Sequence, residues 1–243
     1  MSDSSGNSDW RSKACFIAPL LLFFLLPFFI STEPTAEGQS VDAVGYGWLV
    51  AIRVVLMTLA IVCFLRQITS QFPFAIDGWS FAVGVVGAFV WIGLCWLELE
   101  RSILDVVGLS DHVLPERDAV NPFSIYSAGT PLYSFLAFRF ALLVVCVPVA
   151  EELFLRGFMM RAVEAEDWTR MPLSEIGRTG LAVGTIYGVL SHPGECVAAA
   201  IWFSMVTWMM VKTGRFWNCV VAHAVTNLLL GVYVCVYGQW QLW

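Results

Sequence analysis

Charge is what this sequence has least of. Asp, Glu, Lys and Arg make up 13% of 243 residues, against 58% hydrophobic residues. A water-soluble domain has no use for so much apolar surface, which leaves an integral membrane protein of one domain. The charges sum to −6, and no basic stripe or RNA-binding motif occurs, so nucleic acid is excluded as a partner. The seven cysteines never form CxxC and lie singly in apolar segments. Neither a disulfide framework nor a thiolate zinc site is expected from them. HExxH is also missing, and no internal repeat is visible, which argues against a zinc-peptidase helix and an inverted-repeat transporter.

What is present is a series of apolar runs. They cover about Cys15 to Ile30, Val44 to Leu65, Trp79 to Leu97, Tyr133 to Arg161, Thr179 to Ser191, Glu195 to Val211 and Trp217 to Tyr237. The pattern predicts an all-α, polytopic transmembrane helix bundle of about seven spans, a single domain over 14–243 with its chemistry in 133–238. Met1 to Lys13 is polar and Ser-rich and is expected to be a disordered cytoplasmic tail. No small-residue cleavage site follows the basic flank at Arg11 and Lys13, so the first run reads as a helix rather than a signal peptide. The loop from Glu98 to Pro131 is acidic, with breakers at Pro115 and Pro122 and room for a short surface helix. Basic residues fall in alternate loops: Arg11 and Lys13, Arg66, then Arg161, Arg170 and Arg178, then Lys212 and Arg215. The positive-inside rule puts the N-terminus in the cytoplasm, and the expected location is a bacterial inner membrane. Trp79, Trp96, Trp217 and Trp240 near span ends fit an interfacial belt.

The fourth run carries Glu151-Glu152-Leu153-Phe154-Leu155-Arg156. Acids inside such a run cost a few kcal/mol each on insertion scales, so they mark a functional site by default. Helical neighbours point about 100° apart, so the two acids cannot do the same job. Glu152 and Arg156 are four apart, acid first, the order that favours an intrahelical ion pair. Glu151 needs a partner from elsewhere in the chain.

Three other residues could supply it. His192 ends the short fifth run, where Pro193 and Gly194 force a turn. His223 and Asn227 lie four apart on one face of the last helix. At 1.5 Å per residue, Glu151, His192 and His223 lie about 15, 20 and 12 Å from their cytoplasmic flanks. One cavity could collect all four groups. A carboxylate beside an imidazole can take a proton from water, and a second imidazole with a carboxamide can hold a developing oxyanion. Those two functions together cleave peptide bonds. Gly184 and Gly188, spaced as GxxxG, would let the fifth helix approach a neighbour and bring His192 inward.

Glu151 to Arg156 resembles the EExxxR motif of the CAAX prenyl protease and bacteriocin-processing family, also called Abi. Lys212 to Trp217 followed by Ala222-His223-Ala224-Val225-Thr226-Asn227 resembles its HxxxN motif and approach. His192 stands where a second motif, FxxxH, ends, but Gly188 holds the aromatic's place and Tyr187 lies one position earlier. The resemblance covers the chain from about Val147 onward. It implies an intramembrane glutamic protease acting on a protein or peptide substrate at the bilayer. In that family Glu151 would activate water with His192, His223 and Asn227 would form the oxyanion site, and Glu152 with Arg156 would support the helix. The sequence around Arg139 and Pro148, with Trp240 and Trp243, is similar to the exosortase-associated bacterial subgroup.

Plainer readings stand beside this one. The acids could be structural partners of arginines, and Arg53 and Arg139 inside spans want carboxylates. His192 could cap a helix end, and His223 and Asn227 could be interhelical glue. His112 in the acidic loop reads as solvated. The whole could be a non-catalytic membrane scaffold or immunity-type protein, or a proton-coupled carrier. Glu151, His192 and His223 could also hold zinc. Asn227 suits an oxyanion site better than a ligand set, which favours a mechanism with no metal and no other cofactor.

Overall fold

The computed structural model describes residues 4–33, 41–106, 108–114 and 120–242. Pro115, expected as a breaker, and Trp243 lie outside the described residues. Among the described residues there is no strand. Seven long helices follow the seven apolar runs: α1 (Ser4–Leu25), α2 (Ala43–Cys63), α3 (Gly78–Leu97), α4 (Thr130–Ala162), α5 (Arg178–Ser191), α6 (Cys196–Thr213) and α7 (Phe216–Tyr237). The helix of α1 runs back to Ser4, into the polar stretch expected to be disordered. Extending a formed helix costs far less than nucleating one.

Five stretches are long and apolar enough to cross a membrane: Ala43–Cys63, Gly78–Val106, Thr130–Ala162, Pro193–Thr213 and Phe216–Tyr237. The apolar part of α1, Lys13–Phe28, is shorter. With 14 residues, α5 reaches about 21 Å, less than the roughly 30 Å of a hydrocarbon core. Of the seven expected spans, five are thus long and apolar enough by themselves, and the other two are shorter apolar helices. The acidic loop after α3 holds short helices at Leu99–Val106, Ser110–Val113 and Pro122–Ile125, and His112 in it is exposed. Pro122 opens a helix rather than breaking one, since the first turn needs no N–H from it.

The chain divides into two compact units. One takes Met1–Phe74, Ala119–Phe154 and Tyr233–Trp243, and the other takes Ala75–Asp118 and Leu155–Val232. In the first, Leu20, Val50, Met57, Phe135, Leu142, Cys146 and Ala150 form the buried core. Arg53 sits within it without needing an acid. Its Nε and Nη2 donate to the Phe23 carbonyl at 3.1 and 2.8 Å, and its guanidinium lies 4.1 Å from the Phe23 ring centre. That carbonyl would normally bond to the N–H four residues on, which is Pro27 and has none. The arginine fills a vacancy that the proline creates. Tyr126 stacks on Phe135, with ring centres 4.6 Å apart, and its hydroxyl donates to the Ala43 carbonyl at 2.7 Å.

The second unit is drawn together by glycines. A Cβ on Gly84 would lie 2.7 Å from Val225 Cβ and 2.8 Å from the Ala222 carbonyl oxygen, so α3 and α7 touch backbone to backbone there. Gly87 makes room for the Trp202 indole. On α5, Gly180 abuts the Met160 carbonyl, Gly184 the Met160 sulfur, and Gly188 the Phe203 ring. Glycines at these spacings let helices pack where apolar lipid gives no hydrophobic drive. Arg161, counted above as a flanking charge, is 1% exposed. It donates to the carbonyls of Gly157, Thr169 and Met171 at 3.0, 2.6 and 2.9 Å, and so ties down the polar linker after α4.

Candidate active site

Glu151 and Glu152 stand on α4 in a short α-helical stretch, Val147–Glu152, with π-helical turns on either side at Leu142–Cys146 and Leu153–Met159. The first of these has a cause in the sequence. Pro148 lacks an N–H, and its ring crowds the carbonyl four residues back. Widening the preceding turn makes room, and the Val147 N–H reaches Leu142, five residues back. The second turn replaces the regular α geometry on which a Glu152–Arg156 spacing of one turn was reckoned. Such turns gather at functional sites. Both acids are buried, Glu151 at 7% exposed and Glu152 at 0%.

Arg156, fully buried in the second unit, reaches α6. Its Nη2 donates to the Phe203 carbonyl at 3.2 Å and to Thr207 Oγ1 at 3.3 Å. His192 caps the C-terminal end of α5, half-buried. Its backbone N–H donates to the Gly188 carbonyl at 3.1 Å, and its ring Nδ1 lies 3.2 Å from the same oxygen. A carbonyl only accepts, so a neutral ring bonded to it carries its proton on Nδ1 and leaves Nε2 as an acceptor. Ser191 Oγ donates to the Tyr187 and Gly188 carbonyls and lies 3.0 Å from the same Nδ1. Capping and chemistry are thus compatible: one ring nitrogen closes the helix and the other stays available.

His223 is 5% exposed on α7, and Asn227, one turn on, is half-buried. The two histidines share an aromatic cluster. Trp91 meets His192 edge-on at 5.1 Å between ring centres, and Trp202 meets His223 at 4.8 Å. Trp91 and Trp202 are 6.3 Å apart, and Phe203 lies 4.9 Å from Trp202 and 5.8 Å from His192. The indole of Trp202 donates to Thr226 Oγ1 at 3.0 Å, and Thr226 passes the bond to the Gly84 carbonyl at 2.9 Å. Thr226 lies between His223 and Asn227 on α7, so this buried chain fixes the face that carries both. The HPG turn is fixed from outside: Glu100 Oε1 accepts the Val197 N–H at 2.8 Å in the first turn of α6.

Nothing in the sequence pattern singles out Trp91, Trp202, Phe203 or Glu100. The one signal for the tryptophan contact was the Gly84 and Gly87 pair, three apart on α3. The structure brings His192, His223, Asn227 and Arg156 into one unit and buries Glu151 and Glu152 in the other. Among the described residues of the second unit, no three His, Cys, Asp or Glu side chains are grouped as metal ligands would be.

Residues 133–229 match the family model described as type II CAAX prenyl endopeptidase Rce1-like. No curated protein and no solved structure matches the chain. The matched segment runs from the start of α4 into α7 and contains the Glu pair, Arg156, His192, His223 and Asn227. Over this segment, about two fifths of the chain, the protein is similar to the CAAX prenyl endopeptidases that the model describes.

Proposed function

We propose that the protein hydrolyses a peptide bond near the membrane with a water activated by Glu151. The carboxylate takes a proton from the water while its oxygen attacks the carbonyl carbon. His192, with Nε2 left as an acceptor, helps to hold that water. The oxygen of the tetrahedral intermediate accepts hydrogen bonds from His223 and Asn227. The C–N bond then breaks, and the proton held by Glu151 goes to the departing amine. Glu152 and Arg156 support the helix. The observation that carries this reading is the buried, π-flanked Glu151 within a family-matched segment that also supplies both imidazoles.

Glu151→Gln tests it. The carboxamide keeps the shape and loses the base, so turnover falls about 100-fold or more. Termini of membrane proteins compared by mass spectrometry, with the wild-type chain and with this variant, will show which cleavages vanish. Identical termini in both samples reject the reading and favour a non-catalytic scaffold. Chelator treatment leaves the activity in place; a loss restored by zinc points instead to Glu151, His192 and His223 as ligands.

A further inference from the structure

Phe203 occupies space that belongs, by position, to residue 188. A Cβ built on Gly188 would lie 2.5 Å from Phe203 Cγ and 3.0 Å from Phe203 Cβ. These are root atoms of the side chain and cannot swing aside. The ring is 1% exposed and held on several sides. Trp202 meets it at 4.9 Å and Tyr187 at 5.9 Å. Arg156 Nη2 donates to its own carbonyl, and the next residue, Ser204, bonds Thr185 of α5 through their hydroxyls at 3.0 Å. The same ring lies 5.8 Å from the His192 imidazole, tilted at 48°. His192 is anchored on the carbonyl of Gly188, the residue that the ring covers.

From this placement we infer that Phe203 is a positioning residue for His192, supplying from α6 the packing that a side chain at position 188 would supply from α5. The ring fixes the imidazole plane and keeps Nδ1 on the Gly188 carbonyl. The consequence for catalysis rests on the reading of His192 given above; the contact itself does not.

The chain has three histidines, His112, His192 and His223, so 15N-histidine labelling in detergent gives few ring signals, assigned by removing each histidine in turn. Wild-type His192 shows the Nδ1–H form. Phe203→Leu keeps the bulk but not the ring; the His192 nitrogens shift toward mixed forms while those of His112 stay put. On an internally quenched peptide ending in a farnesylated CAAX sequence, kcat falls about 100-fold with KM within about twofold, as a misplaced catalytic group dictates. The exchange G188F with F203G returns the ring from the other helix, and it recovers both the nitrogen signals and most of kcat relative to F203G alone. Unchanged His192 signals in Phe203→Leu, or an exchange no better than F203G, overturns the inference. The spectra need no turnover, so they decide it even where Glu151→Gln leaves cleavage intact. Conversely, a dead His192→Ala beside a fully active Phe203→Leu rejects the role of Phe203 alone.

Discussion

Both units bury an arginine on backbone carbonyls, Arg53 in the first and Arg161 in the second, but they hold their remaining contacts differently. In the first, Arg53 takes the carbonyl that Pro27 cannot serve, and Tyr126 bonds the Ala43 carbonyl in the first turn of α2. The surrounding core is aliphatic and aromatic side chains interdigitated between helices. In the second, backbones meet at Gly84 and Gly180, the Phe203 side chain seats on Gly188, and side chains of separate helices bond in a chain from Trp202 through Thr226 to Gly84. The difference follows from the task. A buried arginine needs only acceptors for its N–H groups, and any oxygen will do. In the function proposed above, the imidazoles must hold a fixed tautomer and distance, and close-packed glycine contacts give them neighbours that cannot move.

The widest separation between the two modes is expected at Gly84. Gly84→Ala places a methyl against the Ala222 carbonyl and Val225, and neither can yield without moving α7. A loss of about 2–3 kcal/mol is expected, at the upper end for an overpacked methyl. Gly47→Ala in the first unit meets only the Tyr126 hydroxyl at 3.2 Å, the end of a side chain, and costs far less. Thermal unfolding of both variants in one detergent makes the comparison; equal losses would show that backbone contact at Gly84 costs no more than side-chain contact at Gly47.

Thr226→Val asks whether the hydrogen-bond chain matters apart from shape. Valine fills the same volume but can neither accept from the Trp202 indole nor donate to the Gly84 carbonyl, both buried. Removing it lowers stability by about 1–2 kcal/mol, in the range for interhelical bonds inside membranes. Turnover drops as well, since Trp202 leans on His223. Full stability in the valine variant would mean that packing alone holds α7.

Much of the helical fold is legible in the sequence, because apolar runs of membrane length have few alternatives. Each expected run is a helix, and Asp42 and Asp77 mark where α2 and α3 begin by capping them. The lengths of the helices were less legible, since α5 is apolar yet shorter than a hydrocarbon core. Arg161 misled for a simple reason: a basic residue at a helix end reads as a surface charge, and only the returning linker supplies the three carbonyls that bury it. Pro148 announces the π-turn before the Glu pair, but the turn after it depends on backbone geometry that periodicity does not carry. Phe203 was invisible for a deeper reason. It completes the surroundings of His192 from another helix, and linear motifs record only neighbours in the chain.

The smallest effect is expected at Tyr126, in the loop before α4. Its hydroxyl is pushed up to about 12, mainly by burial, with Tyr46 and Asp42 adding to the shift. A folded-state value above the ordinary one of about 10 means that folding favours the neutral phenol. Its contribution is complete below about pH 10 and declines as pH rises through about 12. Tyr126→Phe keeps the stack on Phe135 and loses only the bond to the Ala43 carbonyl, about 0.5–1 kcal/mol at neutral pH. Unfolding curves for the two proteins should therefore be offset at pH 8 and converge as the wild type, but not the variant, weakens above pH 10. If the offset is constant into alkali, the phenol ionises as freely folded as unfolded. Burial would then not favour the neutral phenol, and the account of buried donors on backbone carbonyls in the first unit would rest on Arg53.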